Sequence, residues 1–379
     1  MEKRATGVSS NLLRVIATMF VFLLHGRSYI PKINDLSSPF NWLTCFPAWA
    51  GVWIFLILSG YAIGYGFSTK RYPLINNGEL KIRYFLRFYV GRFVKIAPLY
   101  YLYCFFFEIL SGKVYFWKNP KYLVQMLTFT FNGNGGISGL GHLWYVSLAM
   151  QLYLAMPFLY ILIGFLKKKK VPLVTVYGIA VVAGLFIRTA IVSHGYDWYS
   201  RCYTNFLPNL DLVLAGMLIA EMRTSFSVQL KKPTLLKGLA AMLFIGLTLY
   251  NCFIYKGATD AQLKIYRCLL PSVYAATCGL LLLLSGNGKT LGQKSFTKRA
   301  VDWLSGHTYS FYIFHIAVFR YLNETMIQKP WFAQAGVGKQ YVTFFFVSFL
   351  FTLILAIPFD WIGKKFVEMY KPIERKVFR

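Results

Sequence analysis

The sequence predicts an all-α integral membrane protein of about ten transmembrane helices, with both termini cytoplasmic and a basic interfacial helix before the third span. Three observations lead there. The chain of 379 residues is 57% hydrophobic and 19% aromatic but only 14% charged, far from the balance of an average soluble domain. Runs of about twenty mostly apolar residues, the length a helix needs to cross hydrocarbon, recur along the chain. The 41 lysines and arginines outnumber the 13 acids and concentrate in alternate connections, which is the positive-inside pattern.

The predicted spans lie near residues 12–30, 44–67, 94–111, 142–166, 171–192, 205–222, 235–255, 266–285, 303–322 and 341–363. A net charge of +28 would suggest nucleic acid in a soluble chain. Here the basic blocks at 70–95, 167–170, 289–299 and the carboxyl tail alternate with spans, so they read as topology signals on an anionic leaflet, with no nucleic-acid partner. Lys3 and Arg4 precede the first apolar run as in a secretory signal, but no small-residue cleavage site follows and the run contains Arg14 and His25. No internal repeat or long hydrophilic insertion breaks the pattern, so residues 1–379 are expected to form one transmembrane domain without an appended soluble domain. Six cysteines stand apart with no C-x-x-C pair, so no metal site is expected. A Cys202–Cys252 disulfide near the outer side stays open.

The first span, LLRVIATMFVFLLHG, carries two costly residues. An ionisable side chain inside a spanning helix is a functional-site candidate. Eleven helical steps leave Arg14 and His25 within roughly 20° of one face and about 16 Å apart along the axis. That spacing describes a track with a fixed positive charge at the cytoplasmic end and a titratable base deeper in. In the second span, FLILSG (55–60) with Gly64 and Gly66 suits close packing of helices, and Phe55 and Ser59 are candidates for lining a cavity. The basic segment 81–95 interleaves arginines with aromatics, as an interfacial helix does. Its Arg92 and Lys95, one turn apart, are also spaced to grip phosphates.

A glycine-rich outer loop at 133–141 runs into His142, Trp144 and Ser147 at the head of the fourth span. It is too apolar and irregular for a phosphate loop. His142 beside Trp144 instead suits the wall of a sugar site. In LSGHTYSFYIFH, residues 304–315, Tyr309, Tyr312 and His315 repeat every three residues and so share one helix face. Such a stripe joins helices or faces a polar cavity. Asp211 is an intramembrane carboxylate in need of a partner, to orient a histidine or to pair structurally.

Taken in order, these segments resemble the membrane acyltransferase-3 family, which includes bacterial O-acetyltransferases of surface polysaccharides. The resemblance rests on Arg14 and His25 separated by ten residues, FLILSG at 55–60, RFVK at 92–95 in place of R-x-x-R, HLW at 142–144 and TYSFYIFH at 308–315. It runs from the first span to the ninth. The chain departs from the family pattern at Asn11, Lys95, Ala149 and Met150, where relatives often carry Asp, Arg and acidic residues. Lysine keeps the charge but loses the bidentate fork of arginine.

The resemblance implies a multi-pass protein of the bacterial cytoplasmic membrane. It implies an acyl-CoA donor substrate, most often acetyl-CoA, held by Arg14, Arg92 and Lys95, with no bound cofactor. His25 would be catalytic, as general base or as a covalent acyl carrier. The implied acceptor is a polysaccharide or lipid-linked glycan such as O-antigen, capsule or exopolysaccharide, received near His142, Trp144, Ser147, His315 and Asp211. The competing reading is a multispanning transporter or flippase of a glycan or polyanion.

Overall fold

The computed structural model of the protein describes residues 8–30, 48–76, 79–111, 119–132, 140–225, 233–257, 259–284 and 296–378. The glycine-rich loop at 133–139, most of the basic block at 289–299, and Lys3, Arg4 and Cys45 lie outside these residues. The fold is almost wholly helical: α1 Val8–Arg27, α2 Ala48–Ser68, a two-stranded hairpin β1 Ile75–Asn76 and β2 Glu79–Leu80, then α3 Ile82–Ser111 and the short α4 Pro120–Leu127. A 3-10 turn Gly141–Leu143 opens α5 Trp144–Lys168, followed by α6 Leu173–Ser193, α7 Leu210–Ser225, α8 Pro233–Gly257 and α9 Asp260–Leu284. The chain ends in α10 Phe296–Leu322, the single turn α11 Pro330–Ala333 and α12 Val337–Val377.

Each predicted span overlaps a helix of 16 residues or more. Five helical stretches, within α2, α5 with its preceding turn, α6, α9 and α12, are long and apolar enough to cross a hydrocarbon core. Among the other helices, α8 has a shorter apolar stretch, Leu235–Tyr250, and α1 and α10 carry polar or ionisable side chains inward, including Asn11, Thr18, His307 and His315. Protein neighbours in a bundle shield such groups from lipid. Ten crossings and two cytoplasmic termini are therefore our proposal for the topology.

One element differs from expectation. The basic segment and the third span form one 30-residue helix, α3, about 45 Å long and so longer than the hydrocarbon. Nothing between Arg83 and Val94 breaks helical geometry. Pro98 is accommodated inside the helix, where the backbone bond it loses can be offset by packing. Arg87 is held by Glu374 near the end of α12, Nε to Oε1 2.8 Å.

The centre of the bundle is α2, which packs on α1, α5, α7 and α9. Of its apolar window 72% lies inside the fold, against 22% for α6, so α2 is an inner helix and α6 a peripheral one. Glycines make the contact with α7 possible: a Cβ on Gly60 would sit 2.1 Å from the Val213 carbonyl oxygen, and one on Gly216 2.1 Å from that of Ile57. Small residues let two backbones approach where a side chain would hold them apart. Gly64 approaches Met217 in the same register. Gly66 meets only the Arg71 side chain, at 4.0 Å.

On the other side α1 packs on α10, and α10 on α12. Asn11 donates to Asp302 Oδ1 at 2.8 Å and His25 meets His315, so α1 and α10 run parallel. Asn11 thus supplies an N–H donor to a carboxylate on α10. Phe22, Phe311, Phe319 and Phe345 close this side with tilted or edge-on rings. Cys202 is a buried free thiol, and the side chain of Cys252 lies outside those described.

Candidate functional site

Two polar constellations occupy the two ends of α1. Three histidines gather toward its carboxyl end. His25, in the last turn of α1, places Nδ1 2.7 Å from Nε2 of His315, and the two ring planes lie within 14° of each other. His315 places Nδ1 2.5 Å from the carbonyl oxygen of Tyr312. A carbonyl only accepts, so this nitrogen carries the hydrogen. In neutral imidazoles the chain of donors then has one solution: Nε2 of His315 accepts from Nδ1–H of His25, which leaves Nε2 of His25 as its lone-pair nitrogen. Tautomers are set in this way by the bond the other nitrogen makes.

His142 is fixed by the same helix. Its Nε2–H donates to the Ile313 carbonyl at 3.0 Å, and the hydroxyl of Tyr312 donates to the His142 carbonyl. Its ring stands edge-on to His315, centroids 5.3 Å apart. Nδ1 of His142 is left buried with no partner among the described residues, and a buried acceptor without a donor is costly. A cavity of about 230 Å³ lies against these rings, lined by His25, Gly141, His142, Trp144, Tyr199 and Ile316. The predicted His142 and Trp144 are therefore on its wall, and His315 stands behind it as the partner of His25.

Tyr199 was not among the predicted residues. It sits in a π turn, Tyr199–Tyr203, started by Asp197, whose Oδ2 accepts the Ser200 backbone N–H at 2.7 Å. That bond holds the Asp197 carboxyl below its ordinary range. The aromatic density of YDWYSRCY was the available signal. Tyr203 packs edge-on against Trp49, at 4.8 Å, and tilted against Trp144, at 5.0 Å.

Two predicted residues lie elsewhere. Ser147 is wholly buried on α5 and is not part of this wall. Three residues beyond Trp144, it lies about one turn further along α5, past the residues that line the cavity. Asp211 does not orient a histidine: it forms a bidentate pair with Arg188, at 3.0 and 2.9 Å. The same guanidinium donates to the carbonyls of Pro208 and Cys268 and to Ser272 Oγ. Burial demands this, since an ion removed from water needs both a counter-ion and hydrogen bonds. The pair ties α6, α7 and α9 together.

The amino-terminal half of α1 meets a group of cations. Lys95 is exposed and lies within electrostatic reach of Arg92, Arg14 and Arg71. Arg92 keeps a buried Nε without a partner among the described residues. Arg71, just past α2, had no motif to mark it. Like charges held this close repel, and an anion from outside relieves the repulsion. Between the two ends, Arg14 lies within reach of Tyr145 and Tyr153, Ser59 lies near the Tyr145 hydroxyl and Phe55 packs on Tyr145. Hydroxyls and aromatic rings thus follow the same side of the bundle. Among the described residues, no group of three or more metal-ligating side chains forms.

With this geometry in view, comparison with known families decides the class. The acyltransferase-3 family, described as an acyltransferase domain, matches residues 8–361. The chain belongs to the acyltransferase-3 family. It is a membrane acyltransferase, and the match takes in both constellations. No curated protein and no solved structure matches it.

Proposed function

We propose that this acyltransferase moves an acyl group, acetyl in the first instance, from cytoplasmic acyl-CoA to a sugar hydroxyl of a surface or lipid-linked polysaccharide at the bacterial cytoplasmic membrane. The observation that carries the reading is the pairing of His25 with His315 at one end of α1 and the cation group around Lys95 at the other. About 16 Å of helix separates Arg14 from His25, a distance suited to a carrier with an anionic head and a long thin arm. Arg14, Arg92, Lys95 and Arg71 would hold the phosphates.

In this reading Nε2 of His25 takes the proton of the acceptor hydroxyl as its oxygen attacks the thioester carbonyl. The tetrahedral species collapses, the carbon–sulfur bond breaks, and the departing thiolate recovers the proton from the imidazolium. His142, whose Nε2–H is already committed, offers Nδ1 as an acceptor for a hydroxyl or amide hydrogen of a substrate. Trp144 and Tyr199 give the cavity the flat aromatic wall on which a sugar packs. Direct transfer fits a base placed beside the cavity, and a covalent acyl-histidine is the variant of the same scheme.

The test is isotopic. Membranes carrying the protein, incubated with labelled acetyl-CoA, are expected to place label in the glycan fraction. Glycan crossing the membrane with no label incorporated at any stage would favour the transporter reading instead. A second measurement addresses the donor end. Arg92→Ala is expected to weaken coenzyme A binding about tenfold at low salt and less at high salt, because screening already weakens the charge contact. A loss of the same size at both ionic strengths would argue against a phosphate contact.

A further inference from the structure

At the end of the bundle where α2, α5 and α7 finish there is a second recess, of about 390 Å³. Its inner wall is apolar and aromatic, with Phe67, Tyr160 and Gly164. Its rim is basic, with Lys70, Lys167 and Lys168. Glu221 is the acid in its lining, and that carboxylate is already taken up by Lys167 and by the hydroxyls of Ser68 and Ser225. Lys70 and Lys168, both exposed, are left as the positive edge. Lys70 is held there by a left-handed backbone, φ 56°, where the chain turns out of α2 toward the β1–β2 hairpin.

The surroundings point to lipid. Ile75, Leu80 and Ile82, on and beside the hairpin, are 40%, 59% and 72% exposed, an apolar rim that water would disfavour and a membrane surface would cover. A basic pocket between spanning helices at their charged end matches the chemistry of an anionic headgroup above acyl chains. We infer that this recess binds an anionic glycerophospholipid, with its phosphate between Lys70 and Lys168 and its glycerol and upper acyl carbons against Phe67, Tyr160 and Gly164.

Gly164 supplies a clean probe, because a Cβ added there meets nothing within 4 Å. Gly164→Leu therefore fills the recess without a backbone clash and leaves every lysine in place. Native mass spectrometry of the detergent-solubilised full chain would compare phosphatidylglycerol with phosphatidylcholine of the same acyl chains. Retention of phosphatidylglycerol is expected to exceed that of phosphatidylcholine about tenfold. Lys70→Gln with Lys168→Gln should remove most of that preference, and Gly164→Leu should lower phosphatidylglycerol retention with the charges intact. Equal retention of both lipids, or a preference untouched by either variant, overturns the proposal. So does displacement of the phosphatidylglycerol by adenosine 3′,5′-bisphosphate, which would assign the phosphate contact to a soluble nucleotide. Continued retention in its presence supports the lipid.

Discussion

His25→Ala is expected to lower acyl transfer by about two to four orders of magnitude, the usual contribution of a positioned general base, while leaving donor binding at the Lys95 group nearly unchanged. The companion variants test how His25 is prepared. His315 acts as a positioning residue: it accepts the Nδ1–H of His25 across 2.7 Å and is itself anchored on the Tyr312 carbonyl. His315→Ala removes the acceptor and frees His25 to exchange tautomers and rotate. The expected result is a fall in kcat of about one to two orders of magnitude, smaller than for His25→Ala. His315→Gln can present its side-chain oxygen to the same N–H, so it should recover a substantial part of the loss. A purely space-filling role predicts no rescue by glutamine beyond that given by methionine, a side chain of similar length without the acceptor. If glutamine and alanine behave alike, the tautomer assignment fails.

The second large effect is on stability. Asp211→Ala leaves the guanidinium of Arg188, 2% exposed, without its counter-ion, and breaking a buried pair from one side costs about 3–5 kcal/mol. The measurement is the thermal unfolding midpoint of the purified protein in detergent, together with the yield of folded protein in membranes. Arg188→Met combined with Asp211→Ala should regain much of the loss, since the stranded charge is gone. Transfer per folded molecule should remain close to wild type. The opposite pattern, normal stability with activity lost, would return Asp211 to the substrate site. Gly184 belongs to this arrangement, because a Cβ there would fall 2.2 Å from Asp211 Oδ2.

The consequences for the enzyme follow from the separation of charges along α1. Cations gather where the helix begins and histidines where it ends, so in the proposed reaction a donor would be held by its phosphates while its acyl group reached the hydrogen-bonded histidines. Aromatic and hydroxyl side chains between them would line the path of the extended arm in that proposal. Tyr199 marks the cavity as more than a histidine cluster, and its turn is held by Asp197 rather than by a helix.

Much of this was legible in residue order because helix periodicity is local. Arg14 and His25 share a face whatever packs beside them, and their cost in an apolar run marks them. The apolar runs also located the long helices, and the order of motifs pointed to the family before any contact was known. Partner choice was not local. Nothing within eleven residues of His25 names His315, which lies 290 positions away. Asp211 was visible as an expensive ion in a span, yet its pairing with Arg188 waits on the packing of α6 against α7. Ser147 shares a sequence window and a helix face with Trp144, but it lies one turn further along α5 and is buried outside the cavity lining. Arg71 carries no pattern of its own and joins the cations only because the chain folds back past α2. Sequence period decides which side chains share a helix face; close packing at Gly60 and Gly216, and the need of each buried donor and ion for a partner, decide which faces meet.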